Sequence, residues 1–178
     1  TKYLINQIKK LKIEIRLNEE ASPKTVAKIK PDIVIVATGA EPLIPRILGT
    51  DQENVVTAWD VLRGKARARE DVIIAGGGMV GCETAEYLAE IGRHVKIVEM
   101  LDDIGVDMEV NTKLLLKERF AKLPIEVFTK TKVNEITENG VIVTDYKGEK
   151  HLLRADTVVL AFGSVPNRRV AEDLKDKC

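Results

Sequence analysis

Apolar residues along this chain follow two kinds of spacing, one helical and one typical of buried strands. Residues 1–12 carry apolar side chains at helical intervals, which predicts an amphipathic helix. Residues 13–17 alternate between apolar and polar, which predicts a strand. The continuous apolar run at residues 32–37 is typical of a buried parallel strand. It leads into a tight turn expected at residues 38–40.

A second series of elements starts with the apolar run at residues 72–75, which again predicts a buried strand. The glycine-rich sequence GGGMVG follows at residues 76–81. Helical spacing then extends from residue 79 to residue 91, and Gly92 is the expected C-terminal stop. Residues 95–99 predict the next strand. This order of strand, glycine loop, helix and strand is typical of an α/β fold.

The pattern changes again in the last third of the chain. A helix is predicted at residues 112–123, closed by Pro124, and a last buried strand at residues 157–161. Between them, Asn139-Gly140 is a strong hairpin signal. Short strands are predicted at residues 125–128, 132–136, 141–145 and 151–153. We therefore predict an α/β fold in which a parallel sheet is joined to a small antiparallel β-meander.

A connector separates the two series of elements. Pro42 and Pro45 disfavour regular structure there. Thr57, with Asp60 three residues later, predicts a capped short helix. The charged run at residues 63–70 is expected to be solvated, and we place a domain boundary near it.

Composition limits the classes of function. The chain has 178 residues, is 44% hydrophobic, and carries 28 basic and 28 acidic residues, so its formal net charge is zero. This balance argues against binding to nucleic acid or to an anionic membrane. No apolar run approaches the ~20 residues of a membrane span. The two cysteines, Cys82 and Cys178, form no CxxC pair and fit a reducing cytoplasm.

The glycine loop predicts a dinucleotide site. In a loop of this kind, Gly76 allows the sharp turn out of the strand, and Gly78 lets backbone N–H groups approach a pyrophosphate. Gly81 lets the helix pack closely on the sheet. The N-terminus of the helix offers unpaired N–H groups and partial positive charge to the phosphates. Glu99 ends the next strand at close to the expected spacing of about 20 residues.

Glu99 favours NADH over NADPH as the cofactor. A carboxylate at this strand end accepts hydrogen bonds from the adenosine ribose and repels a 2′-phosphate. Residues 100–103 add no cation, and Arg93 and Lys96 precede the strand end or lie within the strand. NADPH remains the alternative.

These motifs resemble those of the two-dinucleotide-binding flavoproteins. Residues 72–99 resemble the NAD-binding domain of that family, residues 37–40 its ATG motif, and residues 156–167 the segment that returns to the FAD domain. Residues 57–62 and 98–102 are most similar to the NADH:flavin oxidoreductases of the 2-enoate reductase, 2,4-dienoyl-CoA reductase and trimethylamine dehydrogenase type. The resemblance implies a Rossmann-like FAD/NAD(P)-binding fold.

The resemblance also implies a section of a larger oxidoreductase. We expect residues 1–66 to be part of an FAD-type domain with a connector, residues 67–165 an NAD(H)-binding Rossmann domain, and residues 166–178 a return toward the missing FAD domain. FAD, FMN and an iron–sulfur cluster would then act only in the intact enzyme. NADH would pass hydride to a flavin there, with the flavin domain of the parent chain as partner. The isolated section is expected to be inactive, and its oligomeric state is left open.

Other residues have competing interpretations. In disulfide-reductase relatives the glutamate equivalent to Glu83 approaches the nicotinamide, but a first-turn acid also favours the helix dipole. Cys82 fits a small buried hydrophobe, and His94 and His151 fit structural or exposed roles. No catalytic side chain or metal site is predicted. The predicted cofactor-binding residues are Thr38, Gly39, Gly76, Gly77, Gly78, Met79, Val80, Gly81, Glu83, Glu99, Met100, Phe162 and Gly163.

Two other functions stay open. The first is a fragment of a pyridine-nucleotide-disulfide reductase or NADH oxidase, which a redox-active cysteine elsewhere in the parent chain would favour. The second is a nucleotide-binding module without catalysis. Binding of NADH without reduction of any flavin acceptor would favour the second.

Overall fold

A computed structural model of the chain describes residues 2–175. It contains two compact units, one made of Thr1–Gly39 and Pro166–Cys178 and the other of Ala40–Val165. The helices are α1 (Lys2–Lys10), α2 (Pro23–Ile29), α3 (Ala58–Leu62), α4 (Met79–Glu90), α5 (Val110–Phe120) and α6 (Arg169–Leu174). The strands are β1 (Ala40–Pro42), β2 (Val55–Thr57), β3 (Asp71–Ala75), β4 (His94–Val98), β5 (Ile125–Phe128), β6 (Lys132–Thr137), β7 (Gly140–Thr144), β8 (Lys150–Arg154), β9 (Thr157–Leu160) and β10 (Ser164–Pro166).

A five-stranded parallel sheet forms the centre of the larger unit. Its strand order is β2-β9-β3-β4-β5, and Ile74 of β3 pairs with Ile97 on one side and Val159 on the other. The central strands consist almost entirely of buried apolar residues because both faces of the sheet are covered. The predicted α/β fold with a parallel sheet is confirmed.

Side chains of β3 alternate between two hydrophobic cores, as the pleat of a strand requires. Val72 and Ile74 pack with Leu88 of α4 and Leu116 of α5. Ile73 and Ala75 point to the opposite face, where they join a cluster that includes Ile136 of β6. The sheet is thus covered by helices on one face and by the meander on the other.

The meander consists of β6, β7 and β8 in antiparallel order. The hairpin turn lies at Glu138 and Asn139, one residue before the predicted Asn139-Gly140, and Gly140 begins β7 with a φ of 131°, a value that favours glycine. The structure differs from the sequence pattern at β5, which was predicted among the short meander strands. Residues 125–128 instead pair in parallel with β4 and extend the main sheet. A short separate sheet pairs β1 with β10.

The smaller unit contains α1, α2 and α6. The amphipathic helix predicted at the start of the chain is present as α1. The second helix, α2, was not predicted, although its sequence carries two common helix-start signals, the N-cap Ser22 and Pro23 in the first turn. The strands predicted at residues 13–17 and 32–37 are absent from the described residues, and Ile33 is 80% exposed. A strand needs a neighbour to satisfy its backbone groups, and apolar spacing alone does not provide one.

The connector contains the predicted helix as α3. Thr57 Oγ1 accepts a hydrogen bond of 3.1 Å from Asp60 N–H and donates one of 2.8 Å to the Asp60 carboxylate. The charged run at residues 63–70 lies inside the larger unit. The division expected at residues 66 and 67, which was placed at this charged run, stays a prediction. Among residues 2–175, no helix has the length and hydrophobicity to cross a membrane.

Neighbouring leucines of α5 provide a test of its packing. Leu116 is 1% exposed and Leu115 is 54% exposed. We expect Leu116→Ala to lower the free energy of unfolding by about 2–5 kcal/mol, because it leaves a cavity in the core. Leu115→Ala should change it by less than about 0.5 kcal/mol. Urea denaturation of both variants measures the difference, and equal losses would contradict this orientation of α5.

Candidate functional site

The glycine loop connects β3 to α4 in the geometry that the sequence predicts. Gly76 has a φ of 108°, which only glycine adopts readily. At Gly81, a Cβ atom would overlap the carbonyl oxygen of Gly76, so the first turn of α4 lies directly against the loop. Gly78 is the N-cap of α4 with φ −69°, and its side-chain position borders Asp107. The N-terminus of the helix therefore faces the carboxyl end of the sheet.

Glu99 lies directly after β4 and is a buried residue with 9% of its surface exposed. Gly77 N–H donates to its Oε2 at 2.7 Å, and Leu101 N–H donates to its Oε1 at 2.8 Å. A buried carboxylate is stable only when such donors compensate for lost water. Glu99 therefore links the glycine loop to the end of β4, and each oxygen has lone-pair capacity left for a further donor.

The loop between β4 and α5, residues 99–109, closes against the glycine loop. Gly105 N–H donates to Gly77 O at 2.7 Å, and Asp107 Oδ1 accepts a hydrogen bond of 2.8 Å from Met79 N–H. Asp103 accepts hydrogen bonds of 2.7 and 2.8 Å from Lys117 and lies 2.9 Å from Lys113 Nζ. These two lysines lower the pKa of Asp103 to about 2. The loop is thus fastened both to the glycine loop and to α5.

A cavity of about 430 Å³ lies in the larger unit along this edge of the sheet. That volume falls in the range of small-molecule sites. Its wall combines separate segments of the chain, among them those that follow β3, β4 and β9, as expected for the carboxyl edge of a parallel sheet. The predicted residues that line it are Gly76, Gly78, Met79 and Val80 of the glycine loop, Glu99 and Met100 after β4, and Phe162 and Gly163 after β9.

The other predicted residues lie elsewhere. Gly77 and Gly81 do not line the cavity but support its wall. Gly77 N–H donates a hydrogen bond to the Glu99 carboxylate, and Gly81 packs closely against the Gly76 carbonyl group. Glu83 is exposed on α4. Thr38 and Gly39 belong to the smaller unit, where Thr38 Oγ1 donates to Asn167 O at 2.7 Å and Gly39 O accepts from Asn167 N–H at 2.9 Å. Their predicted role toward FAD remains a prediction.

Several cavity residues were not predicted. Asp107 comes from the β4–α5 loop, where no sequence motif marks one acidic residue as a site residue, and Ile47 comes from the connector. Thr131, Lys132 and Val133 come from the start of the meander, which follows the end of β4 because Thr131 N–H donates to Glu99 O at 2.9 Å. Lys132 thus brings a cation to the cavity wall from a segment about 30 residues after Glu99 in sequence.

The remaining candidate side chains have structural surroundings. Cys82 is buried in the first turn of α4, its Sγ donates to Gly77 O at 3.3 Å, and burial raises its pKa to about 12. His94 Nδ1 lies 3.4 Å from Asp71 at the surface. Within the described residues, no group of three or more His, Cys, Asp or Glu side chains could hold a metal ion. Cys178 lies outside the described residues.

Comparison with known sequences gives consistent matches. The family described as pyridine nucleotide-disulphide oxidoreductase matches residues 2–178. An "NADH oxidase" of Thermoanaerobacter brockii is 43% identical over 98% of this chain and 28% of its own length. A "bilirubin reductase" of Mediterraneibacter gnavus is 40% identical over 99% of this chain and 27% of its own length. The chain thus spans between a quarter and a third of these relatives.

Solved structures agree with the sequence matches. A 2-naphthoyl-CoA reductase in complex with 2-naphthoyl-CoA has a TM-score of 0.89 and 33% identity, covering 97% of this chain and 26% of that protein. The resemblance to the FAD/NAD(P)-binding region of flavin oxidoreductases, and with it the Rossmann-like fold, is confirmed.

Two glycines of the loop should respond differently to alanine. Gly81→Ala should lower the free energy of unfolding by about 1–3 kcal/mol, because its Cβ would overlap the Gly76 carbonyl oxygen. Alanine favours helices over glycine, so a loss would reflect packing alone. Gly78→Ala, with a Cβ 3.4 Å from Asp107, should cost less than about 1 kcal/mol. Urea denaturation measures both, and an unchanged Gly81→Ala variant would contradict the close contact.

The contacts of Asp103 predict a dependence of stability on pH. Because its pKa is about 2 in the folded chain and ~3.9 when unfolded, its stabilising effect is present above pH ~4 and disappears as the pH falls toward 2. Asp103→Asn should therefore be less stable than the natural chain at pH 6, by a small amount because the side chain is 40% exposed. Urea midpoints between pH 6 and pH 2.5 should converge. A constant difference would contradict the pairing with Lys113 and Lys117.

Proposed function

Since the chain belongs to the pyridine nucleotide-disulphide oxidoreductase family, we propose that it is the section of a larger flavin-dependent oxidoreductase that docks NADH for hydride transfer to a flavin. One observation carries this proposal. The glycine loop, Glu99 and the residues after β9 border one cavity at the carboxyl edge of a parallel sheet. Ligands of open α/β sheets bind at this edge.

The residues present fit a dinucleotide. Gly78 has no side chain where the backbone of the loop borders the cavity, which leaves space for a pyrophosphate beside the N-terminus of α4, where Met79 N–H donates to Asp107. Glu99 has remaining acceptor capacity for the adenosine ribose hydroxyls. Phe162 and Gly163 would border the nicotinamide end. When bound, NADH supplies the hydride, and the protein supplies orientation and electrostatics.

The preference for NADH over NADPH rests on Glu99. Its buried carboxylate, which accepts two backbone N–H hydrogen bonds, would face a 2′-phosphate with like charge. Lys132 on the cavity wall and Lys130, whose Nζ lies 3.5 Å from Asp102, reduce this repulsion. The repulsion from Glu99 still dominates, because that carboxylate is buried whereas Lys130 and Lys132 are both exposed and Lys130 is already paired with Asp102.

The activity and partners of the intact enzyme are part of the same proposal. The relatives include proteins named for different substrates, bilirubin reductase and cinnamate reductase, although they share this section. A section that enzymes with different substrates share is expected to bind their common cofactor rather than the substrate. FAD, and FMN with an iron–sulfur cluster, would belong to the intact enzyme, and the 178-residue chain alone would bind nucleotide without turnover.

A disulfide reductase is the less favoured alternative. That chemistry needs a thiolate and a second cysteine close by. Cys82 lies buried with its pKa raised to about 12, so it stays protonated near neutral pH. A redox pair would have to come from another part of the parent chain.

Titration calorimetry of the purified chain tests the docking of NADH. We expect NADH to bind more tightly than NADPH. Glu99→Ala should weaken NADH by about 1–2 kcal/mol, because ribose hydrogen bonds are lost, and should narrow the difference between the two cofactors. Glu126→Gln, which removes an exposed acid on β5, should leave both affinities unchanged.

Glu99 also anchors the glycine loop, so thermal unfolding is measured in parallel for each variant. Equal or tighter binding of NADPH to the natural chain would contradict the assigned role of Glu99. Absence of binding by both cofactors would contradict the docking function itself.

A further inference from the structure

The β4–α5 loop places a carboxylate on the glycine loop where a phosphate is expected. Asp107 Oδ1 accepts a 2.8 Å hydrogen bond from Met79 N–H, the first residue of α4. Its Oδ2 lies 3.4 Å from the position that a Cβ on Gly78 would take. Asp107 therefore takes up the Met79 N–H donor and lies against the partial positive charge at the N-terminus of α4, both of which an anionic ligand would use.

The position of Asp107 is determined by contacts on both sides of it. On one side, Gly105 N–H donates to Gly77 O at 2.7 Å, and Met108 N–H donates to Gly105 O at 3.1 Å. On the other side, Glu109 caps α5 by accepting a 3.0 Å hydrogen bond from Thr112 N–H. The loop thus carries Asp107 to the glycine loop as part of its folded conformation.

The charge of Asp107 is not neutralised by a side chain. Among residues 2–175, no lysine, arginine or histidine lies within 4.0 Å of its carboxylate, in contrast to Asp103 with its two lysines. Asp107 also lines the cavity beside Gly78 and Met79. Its negative charge consequently faces the space that the phosphates of a dinucleotide would enter.

The geometry points to Asp107 as a specificity-determining residue that competes with the dinucleotide pyrophosphate for the N-terminus of α4. This inference rests on the proposed docking of NADH and concerns how tightly the same site holds it. A pyrophosphate and Asp107 cannot both use Met79 N–H, and their like charges repel at this distance. Binding of a phosphate-bearing ligand requires Asp107 to leave the helix, whereas a ligand without phosphate leaves it in place.

Removal of the charge at Asp107 should affect ligands with phosphate but not ligands without it. Asp107→Asn keeps the size of the side chain and an oxygen that accepts from Met79 N–H, but removes the charge. The matched control is Asp102→Asn, which removes an exposed charge from the same loop outside the cavity lining. Calorimetry of the full chain gives the affinity for NADH and ADP, NMR shift titration gives that for adenosine, and thermal unfolding verifies that each variant is folded.

We expect Asp107→Asn to bind NADH and ADP roughly five- to tenfold more tightly than the natural chain, with adenosine unchanged. Asp102→Asn should shift all three by less than about twofold, since Asp102 lies outside the cavity lining and solvent screens its charge. Unchanged or weaker binding of NADH and ADP by a folded Asp107→Asn variant overturns the inference, and so does an equal gain for adenosine. These results leave NADH docking intact, because the natural chain still binds. NADH binding by neither protein overturns the docking function and this inference together.

Discussion

The hydrogen bond from Gly77 N–H to the Glu99 carboxylate is the interaction on which the site depends. It joins the loop after β3 to the end of β4, the two neighbouring strands at the centre of the cavity edge. Glu99 is buried, and burial of its carboxylate would cost folding free energy without the hydrogen bonds from Gly77 N–H and Leu101 N–H. Gly77 in turn has no room for a side chain, since a Cβ would lie 2.8 Å from Ile104 and 3.0 Å from the Glu99 Cβ. The loop conformation and the acid therefore require each other.

Three acids of one loop have different tasks because their surroundings differ. Glu99 is buried and held by backbone donors, Asp103 is held by two lysines of α5, and Asp107 rests on the N-terminus of α4. The first shapes the cavity, the second fastens the loop, and the third adds negative charge beside the glycine loop. The local sequence does not predict these three roles, because all three side chains are carboxylates and only their hydrogen-bond and ion-pair partners differ.

The two hydrophobic cores explain why the cavity lies where it does. Helices cover one face of the parallel sheet and the meander covers the other, so the carboxyl edge is left open between them. The start of the meander returns along β4 through the Thr131 hydrogen bond to Glu99 and supplies Lys132 to the wall. The meander is thus part of the site as well as part of the core.

Local sequence determined the elements whose signals are local. The apolar run of β3, the glycines of the loop, the Thr57 cap and the Asn139-Gly140 turn each act within a few residues, and the structure contains the elements they predict. Only the tertiary structure decided that β5 extends the main sheet, that residues 32–37 form no strand in the described chain, and that Asp107 and Lys132 reach the cavity. Strand pairing and the meeting of distant side chains depend on which neighbours the whole fold supplies, and no local pattern encodes them.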